Sequence, residues 1–213
     1  MMAAARRKRV ALFGGTFDPI HAGHLAAAQA VLEQGLVDEV VFVPAGDPPH
    51  KRARTLASAH DRYVMTVLAT LNEPRFRVVP WELERAGPSY TVDTLEHARA
   101  VLGAVDVYWL IGADAAWGLH TWHQVQRLMT LTRFLVVSRE GFDEDGLRAQ
   151  LALHFPACDG DWVQFVRMPE VAVSSTALRA ACAAGRSPDG LPQCVAAFIA
   201  RYGLYRERMG DGL

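Results

Sequence analysis

Two histidines three residues apart, His21 and His24, close the run Gly14-Gly15-Thr16-Phe17-Asp18-Pro19-Ile20-His21-Ala22-Gly23-His24-Leu25. At that spacing they share one face of a helix start. The paired glycines ahead of them lack the Cβ that would keep backbone N–H groups away from a ligand. A helix that begins here adds its free N–H groups and positive dipole end. Such a place suits phosphate. A second one lies at Ser174-Ser175-Thr176-Ala177-Leu178-Arg179, where hydroxyls and N–H groups open a helix and Arg179 lies one turn in. Taken singly, each has a plainer reading, a glycine turn and an ordinary N-cap. One helix terminus stabilises an anion by only ~0.3–2 kcal/mol. Two termini with His21, His24, Arg179 and a magnesium ion could hold a nucleoside triphosphate. His-x-x-His supplies only two metal ligands, with no third apparent, so no protein-held metal centre is expected.

These residues need elements to carry them. Val10 to Phe13 reads as a buried strand and the alanine-rich Leu25 to Leu32 as a helix stopped by Gly35. Glu39 to Val43 is a second strand, followed by a basic, proline-stiffened loop from Ala45 to Leu56. Its length and charge make it the segment expected to move on substrate. Ser58 and Asp61 resemble a capping box, and Tyr63, Val64, Val67, Leu68 and Leu71 recur at helical spacing. Phe76 to Val79 is a third strand and Trp81 to Pro88 is irregular. Ser89-Tyr90-Thr91 opens a helix with Val92, Leu95, Ala98, Val101 and Leu102 inward. Val107 to Ile111 is apolar throughout, as a strand covered on both faces should be. A short helix, a turn at His120-Thr121 and a helix from Trp122 to Leu128 follow. Strands over Phe134–Val137 and Val163–Val166 flank a helix over Asp143–Phe155. The chain ends on helices from Val173 to Ala184 and from Pro192 to Tyr202.

Strand and helix alternate throughout. That order implies an α/β fold, a Rossmann-like doubly wound parallel sheet of five or six strands with helices on both faces. Ligands bind such sheets beyond the C-terminal strand ends, at the topological switch point. The glycine turn, Pro48-Pro49-His50-Lys51, Gly112-Ala113-Asp114 and the Ser-Ser-Thr turn all follow strands, so they converge there.

Composition narrows the partners. The chain has 213 residues, 51% apolar, and no linker-like stretch, so one domain over residues 1–213 is expected. The formal net charge is −1, without the basic excess of a nucleic-acid binder. Arg6-Arg7-Lys8-Arg9 reads as a solvated, frayed terminus, residues 1–9 being the flexible part. No apolar run approaches the ~18 residues a membrane span needs. Cys158, Cys182 and Cys194 lack metal-ligand spacing and suit buried or inert thiols in a reducing cytoplasm. A homo-oligomer is left open.

The run GGTFDPIHAGHL is neither the Gly-x-Gly-x-x-Gly dinucleotide fingerprint nor a P-loop. It resembles the His-x-Gly-His signature of the nucleotidyltransferase superfamily and, within it, most resembles the bacterial nicotinate-nucleotide adenylyltransferase family. Val173-Ser174-Ser175-Thr176 with Arg179 resembles the second signature, Ile-Ser-Ser-Thr-x-x-Arg. Further matches are Pro48-Pro49-His50-Lys51, Pro88-Ser89-Tyr90-Thr91, Asp93-Thr94-Leu95, Ile111-Gly112-Ala113-Asp114, Thr121-Trp122 and Val195 to Tyr205.

The resemblance implies transfer of AMP from ATP to nicotinate mononucleotide, giving deamido-NAD and pyrophosphate, with magnesium carried on the ATP. It implies ATP contacts from Gly14, Gly15, Thr16, Phe17, Gly112, Asp114, Ser174, Ser175 and Thr176. It implies catalytic roles for His21, His24 and Arg179. For the acceptor it implies Trp122 stacked on the pyridine ring, backbone N–H groups near Thr91 and His123 on the ring carboxylate, and His50 and Lys51 near the phosphate. The chemistry agrees. The attacking phosphate, with a second pKa of ~6, is already anionic and needs no general base. Catalysis then reduces to alignment and charge stabilisation. The histidines are expected to be neutral donors because the helix dipole disfavours imidazolium. Asp18 is expected to brace its own turn. His60, His97, His120 and His154 read as surface or packing residues. Trp81, Trp109, Trp117 and Trp162 read as core or groove lining. Alternatives are nicotinamide mononucleotide or phosphopantetheine as acceptor, and a nucleotide sensor without turnover. A class I aminoacyl-tRNA synthetase would need a lysine-bearing loop and an anticodon extension that the sequence lacks.

Overall fold

The structure is a computed structural model that describes residues 6–48, 57–139, 141–156 and 162–206. His50, Lys51, most of the Ala45–Leu56 loop and Cys158 lie outside the described residues. Six strands form one sheet: β1 (Arg9–Gly15), β2 (Glu39–Pro44), β3 (Phe76–Val78), β4 (Asp106–Gly112), β5 (Arg133–Arg139) and β6 (Val163–Met168). Their order is β3-β2-β1-β4-β5-β6, and every described pairing is parallel. The order reverses between β1 and β4, so a crevice opens where Gly14-Gly15 and Gly112 end their strands.

The helices are α1 (Ala22–Glu33), α2 (Ala59–Thr70), α3 (Thr91–Leu102), α4 (Ala113–Trp117), α5 (Val125–Leu131), α6 (Glu144–His154), α7 (Ser175–Ala183) and α8 (Gln193–Tyr202). Side-chain alternation on β1 divides the core in two. Val10 and Leu12 pack with Val92, Leu95, Leu128 and Leu147, beneath α3, α5 and α6. Ala11 and Phe13 pack with Ala27, Val31, Met65 and Val195, beneath α1, α2 and α8. Both faces are covered, which is why the central strands read as unbroken apolar runs.

Three expectations about faces and ends need correction. The inward face of α2 is not the one marked by its apolar residues. Arg62, Met65, Thr66 and Thr70 are buried, whereas Val64 and Leu71 are exposed. Thr66 and Thr70 can enter the core because their hydroxyls donate to the carbonyls of Arg62 and Thr66, at 2.7 and 2.9 Å. On α3, Val92, Leu95 and Ala98 face inward but Val101 is 54% exposed. The helix expected from Trp122 begins at Val125, because Gln124 takes a left-handed conformation (φ 51°) and turns the chain into α5. Residues 6–9 carry charges that pair with the start of β2 and the residue before it. The Arg6 guanidinium lies 2.8 Å from Asp38, Lys8 pairs with Glu39, and the Arg9 N–H donates to Asp38 at 2.8 Å. Cys182 is buried and Cys194 is exposed.

Candidate active site

The strand-end turn after β1 delivers His21 as the N-cap of α1 and His24 as its third residue. The His21 N–H donates to His24 Nδ1 at 3.3 Å, and the His24 N–H donates to the His21 carbonyl at 2.9 Å. The imidazoles stack, with centroids 3.8 Å apart and an angle of 28° between planes. Because Nδ1 of His24 accepts a hydrogen bond, the proton of its neutral ring sits on Nε2. His21 is buried, and that desolvation pulls its pKa from 6.5 down to about 4. A neutral His21 was anticipated from the helix dipole; burial is the cause found here.

The glycines are small for reasons beyond ligand approach. A Cβ on Gly14 would lie 2.5 Å from Trp109 Cζ2, and one on Gly15 would lie 2.8 Å from Phe17 Cζ. A Cβ on Gly23 would come within 3.1 Å of His21 Cε1 and 3.3 Å of Val173 Cγ1. Gly23 thus seats the His21 ring and brings the second signature against the first. Phe17 adopts a left-handed backbone (φ 48°) and buries its ring against Phe13, Phe42 and His24. Only its backbone remains open to a ligand.

Asp18 braces more than its own turn. Its carboxylate accepts from the Ala57 N–H at 3.1 Å and from the Tyr205 hydroxyl at 2.8 Å. Arg179 reaches across to donate to the Asp18 carbonyl at 2.7 Å and to Thr176 Oγ1 at 3.2 Å. Its guanidinium also lies 3.6 Å from the Asp18 carboxylate. Ser174 caps α7 by accepting from the Ala177 N–H at 3.2 Å, and Ser175 Oγ donates to the Pro19 carbonyl at 3.4 Å. The start of α7 is therefore tied to the turn that starts α1. Two helix N-termini, an arginine and two imidazoles share one rim.

Beside that turn lies a cleft of about 650 Å³, lined by Gly14, Gly15, Thr16, Thr91, Trp109 and Trp122 among others. Trp122 leaves a 3₁₀ turn (Leu119–Thr121) with extended backbone and is half-buried. His123 stacks on Tyr90 with centroids 4.2 Å apart, so the two sides of the cleft meet through an aromatic pair. The sequence had assigned the His123 ring no role. Gly112 and Asp114 are exposed at the end of β4, on the same rim. Among the other histidines, His120 and His154 stack at 4.1 Å and His97 packs edge-on to Trp81.

Three residues that the sequence reading passed over organise this region. Arg62 is 2% exposed and donates to the carbonyls of Thr16, Gly46 and Ala57, at 2.8, 3.1 and 3.2 Å. Burial lowers its pKa, and the negative fields of Asp18 and Glu82 oppose that shift. Glu82 is buried in the cleft wall, and Tyr205 closes the chain onto Asp18. The available signal for Arg62 was a charge at the spacing of Met65 and Thr66 on one helix face.

A cytidylyltransferase-like family model matches residues 12–181. A probable nicotinate-nucleotide adenylyltransferase of Mycolicibacterium vanbaalenii is 40% identical, covering 100% of this chain and 99% of its own. One from Saccharopolyspora erythraea is 42% identical over 95% of this chain and 92% of its own. The solved Plasmodium falciparum nicotinic acid mononucleotide adenylyltransferase complexed with NaAD superposes with a TM-score of 0.73 at 17% identity, covering 93% of this chain and 97% of its own. That likeness speaks for the fold.

Proposed function

This chain belongs to the nicotinate-nucleotide adenylyltransferase family, and from that premise we propose how its residues divide the reaction. The enzyme transfers AMP from ATP to nicotinate mononucleotide, giving deamido-NAD and pyrophosphate. The observation that carries the assignment of roles is the meeting of α1 and α7 at the glycine turn. There Arg179 touches Asp18, and His21 and His24 stack beside a cleft walled by Trp122.

ATP lies over that turn. Backbone N–H groups of Gly14 to Phe17 and the Ser174–Thr176 start of α7 face the triphosphate, and Gly112 and Asp114 face the ribose. His24 donates from Nε2 to the α/β-phosphate oxygens, and His21 stands beside the triphosphate. Arg179 is held at the turn and needs only a local swing to reach departing pyrophosphate. A magnesium ion carried on the triphosphate would neutralise part of its charge there. Among the described residues no cluster of three His, Cys, Asp or Glu side chains could hold a metal ion.

The acceptor occupies the cleft. Trp122 stacks on its pyridinium ring. N–H groups at Thr91 and His123 receive the ring carboxylate, a choice that disfavours the amide, whose NH₂ would meet them donor to donor. The family resemblance assigns His50 and Lys51, outside the described residues, to the acceptor phosphate. The phosphate attacks the α-phosphorus in line, already anionic, so no base is required. A pyrophosphate-release assay with ATP and each of nicotinate mononucleotide, nicotinamide mononucleotide and phosphopantetheine tests the reading. Turnover is expected to favour the first; preference for the amide would overturn the carboxylate assignment.

A further inference from the structure

We propose that Glu82 is a positioning residue for the acceptor: through two hydroxyls it fixes the Ser89–Thr91 segment so that the first N–H groups of α3 point at the ring carboxylate. The inference rests on the reading above that this segment binds that carboxylate.

Glu82 is 5% exposed, yet it lines the acceptor cleft and makes no ion pair among the described contacts. Its Oε1 lies 2.5 Å from Thr94 Oγ1, one turn into α3, and the Ser89 hydroxyl bonds the same carboxyl. It therefore grips the chain on both sides of Tyr90-Thr91. Ser89 is fixed in turn, because its Oγ accepts from the N–H groups of Gly46 and Asp47, at 3.0 and 3.2 Å. The Gly46 carbonyl receives Arg62, which also holds Thr16. A Cβ on Gly46 would fall 2.1 Å from the Glu82 carbonyl oxygen, so backbone contact locks the same junction. One continuous network thus runs from the glycine turn to the start of α3.

That start needs an external hold. The N-cap of α3 is Tyr90, whose side chain makes no capping bond, so the first N–H groups stay open to the cleft. A helix start without a side-chain cap frays unless its flanks are pinned, and Glu82 pins them. Burial raises the pKa of Glu82, and the bonds it accepts from the Thr94 and Ser89 hydroxyls oppose that shift.

The test compares steady-state kinetics of wild type, Glu82→Ala, Glu82→Gln and Thr94→Val with ATP and both mononucleotides. Glu82→Ala and Thr94→Val are expected to raise KM for nicotinate mononucleotide at least tenfold and to cut the acid-over-amide ratio of kcat/KM at least fivefold. KM for ATP is expected to stay within twofold. Glu82→Gln, which keeps the side chain's length and an accepting oxygen, is expected to recover most of the loss. An unchanged KM in Glu82→Ala, an equal rise in both KM values, or a Gln variant no better than Ala would each overturn the inference. If Glu82→Ala does not fold, Thr94→Val alone carries the decision. A wild type without acid preference would sink the site reading; a wild type with it and an alanine variant that keeps it would sink only the role of Glu82.

Discussion

The His21 backbone N–H donates to Nδ1 of His24 at 3.3 Å, so the residue that starts α1 sets the tautomer of the residue one turn along. Nε2 then carries the proton, as the proposed contact with phosphate requires. Asparagine can keep the acceptor near the Nδ1 position but cannot supply the Nε2 donor. His24→Asn is expected to fold like wild type and to lose ~10²–10³ in kcat, as removal of one transition-state donor does. His24→Ala should lose at least as much. Turnover within about threefold of wild type in either variant would remove the role.

Buried His21 gives the protein an acid-side liability. Its folded pKa of about 4 lies below the ordinary 6.5, so between those values the unfolded chain binds a proton that the folded chain does not. Stability is therefore full above pH 6.5 and falls as pH drops toward 4, at no more than ~1.4 kcal/mol per pH unit from this group. Urea midpoints measured from pH 7.5 to 4.5 should fall more steeply for wild type than for His21→Gln. Parallel curves would contradict it.

Gly14 and Trp109 fill one space. Gly14→Ala would force its methyl onto the indole edge, and overpacking of this kind costs ~1–3 kcal/mol. Trp109→Phe should relieve the clash, so the double variant is expected to be more stable than Gly14→Ala alone. A thermal-unfolding double-mutant cycle reads this directly, and strict additivity would refute it.

Tyr205 and Asp18, 187 residues apart, are joined at 2.8 Å. Burial and the adjacent carboxylate hold the phenol far above its ordinary pKa, so it remains a donor. Tyr205→Phe removes that bond beside Arg179 and should cost ~1–2 kcal/mol, a loss of roughly 2–8 °C in Tm. Unchanged Tm would show the bond to be incidental.

Much of this was legible in the residues. Alternating strand and helix signals specify the parallel sheet, because apolar period and glycine stops are local properties. The helix starts at His21 and Ser174 could be named for the same reason, since a cap and the residues after it lie within one turn. Facing, by contrast, was misread on α2. Val64 and Leu71 look like core, while Arg62 and Thr66 look like surface. Burial follows from whether polar atoms find partners, and the partners of Arg62 belong to Thr16 and Gly46, far away along the chain.

The sequence by itself determined the family and the two helix starts, since imidazole spacing, hydroxyl caps and glycine turns lie within a few consecutive residues. Tertiary structure alone decided which groups support it. Asp18 joins Ala57, Arg179 and Tyr205, and Glu82 joins Ser89 and Thr94. A buried polar group is tolerated only where the fold brings it a partner, and most of those partners come from distant segments that a linear pattern does not bring together.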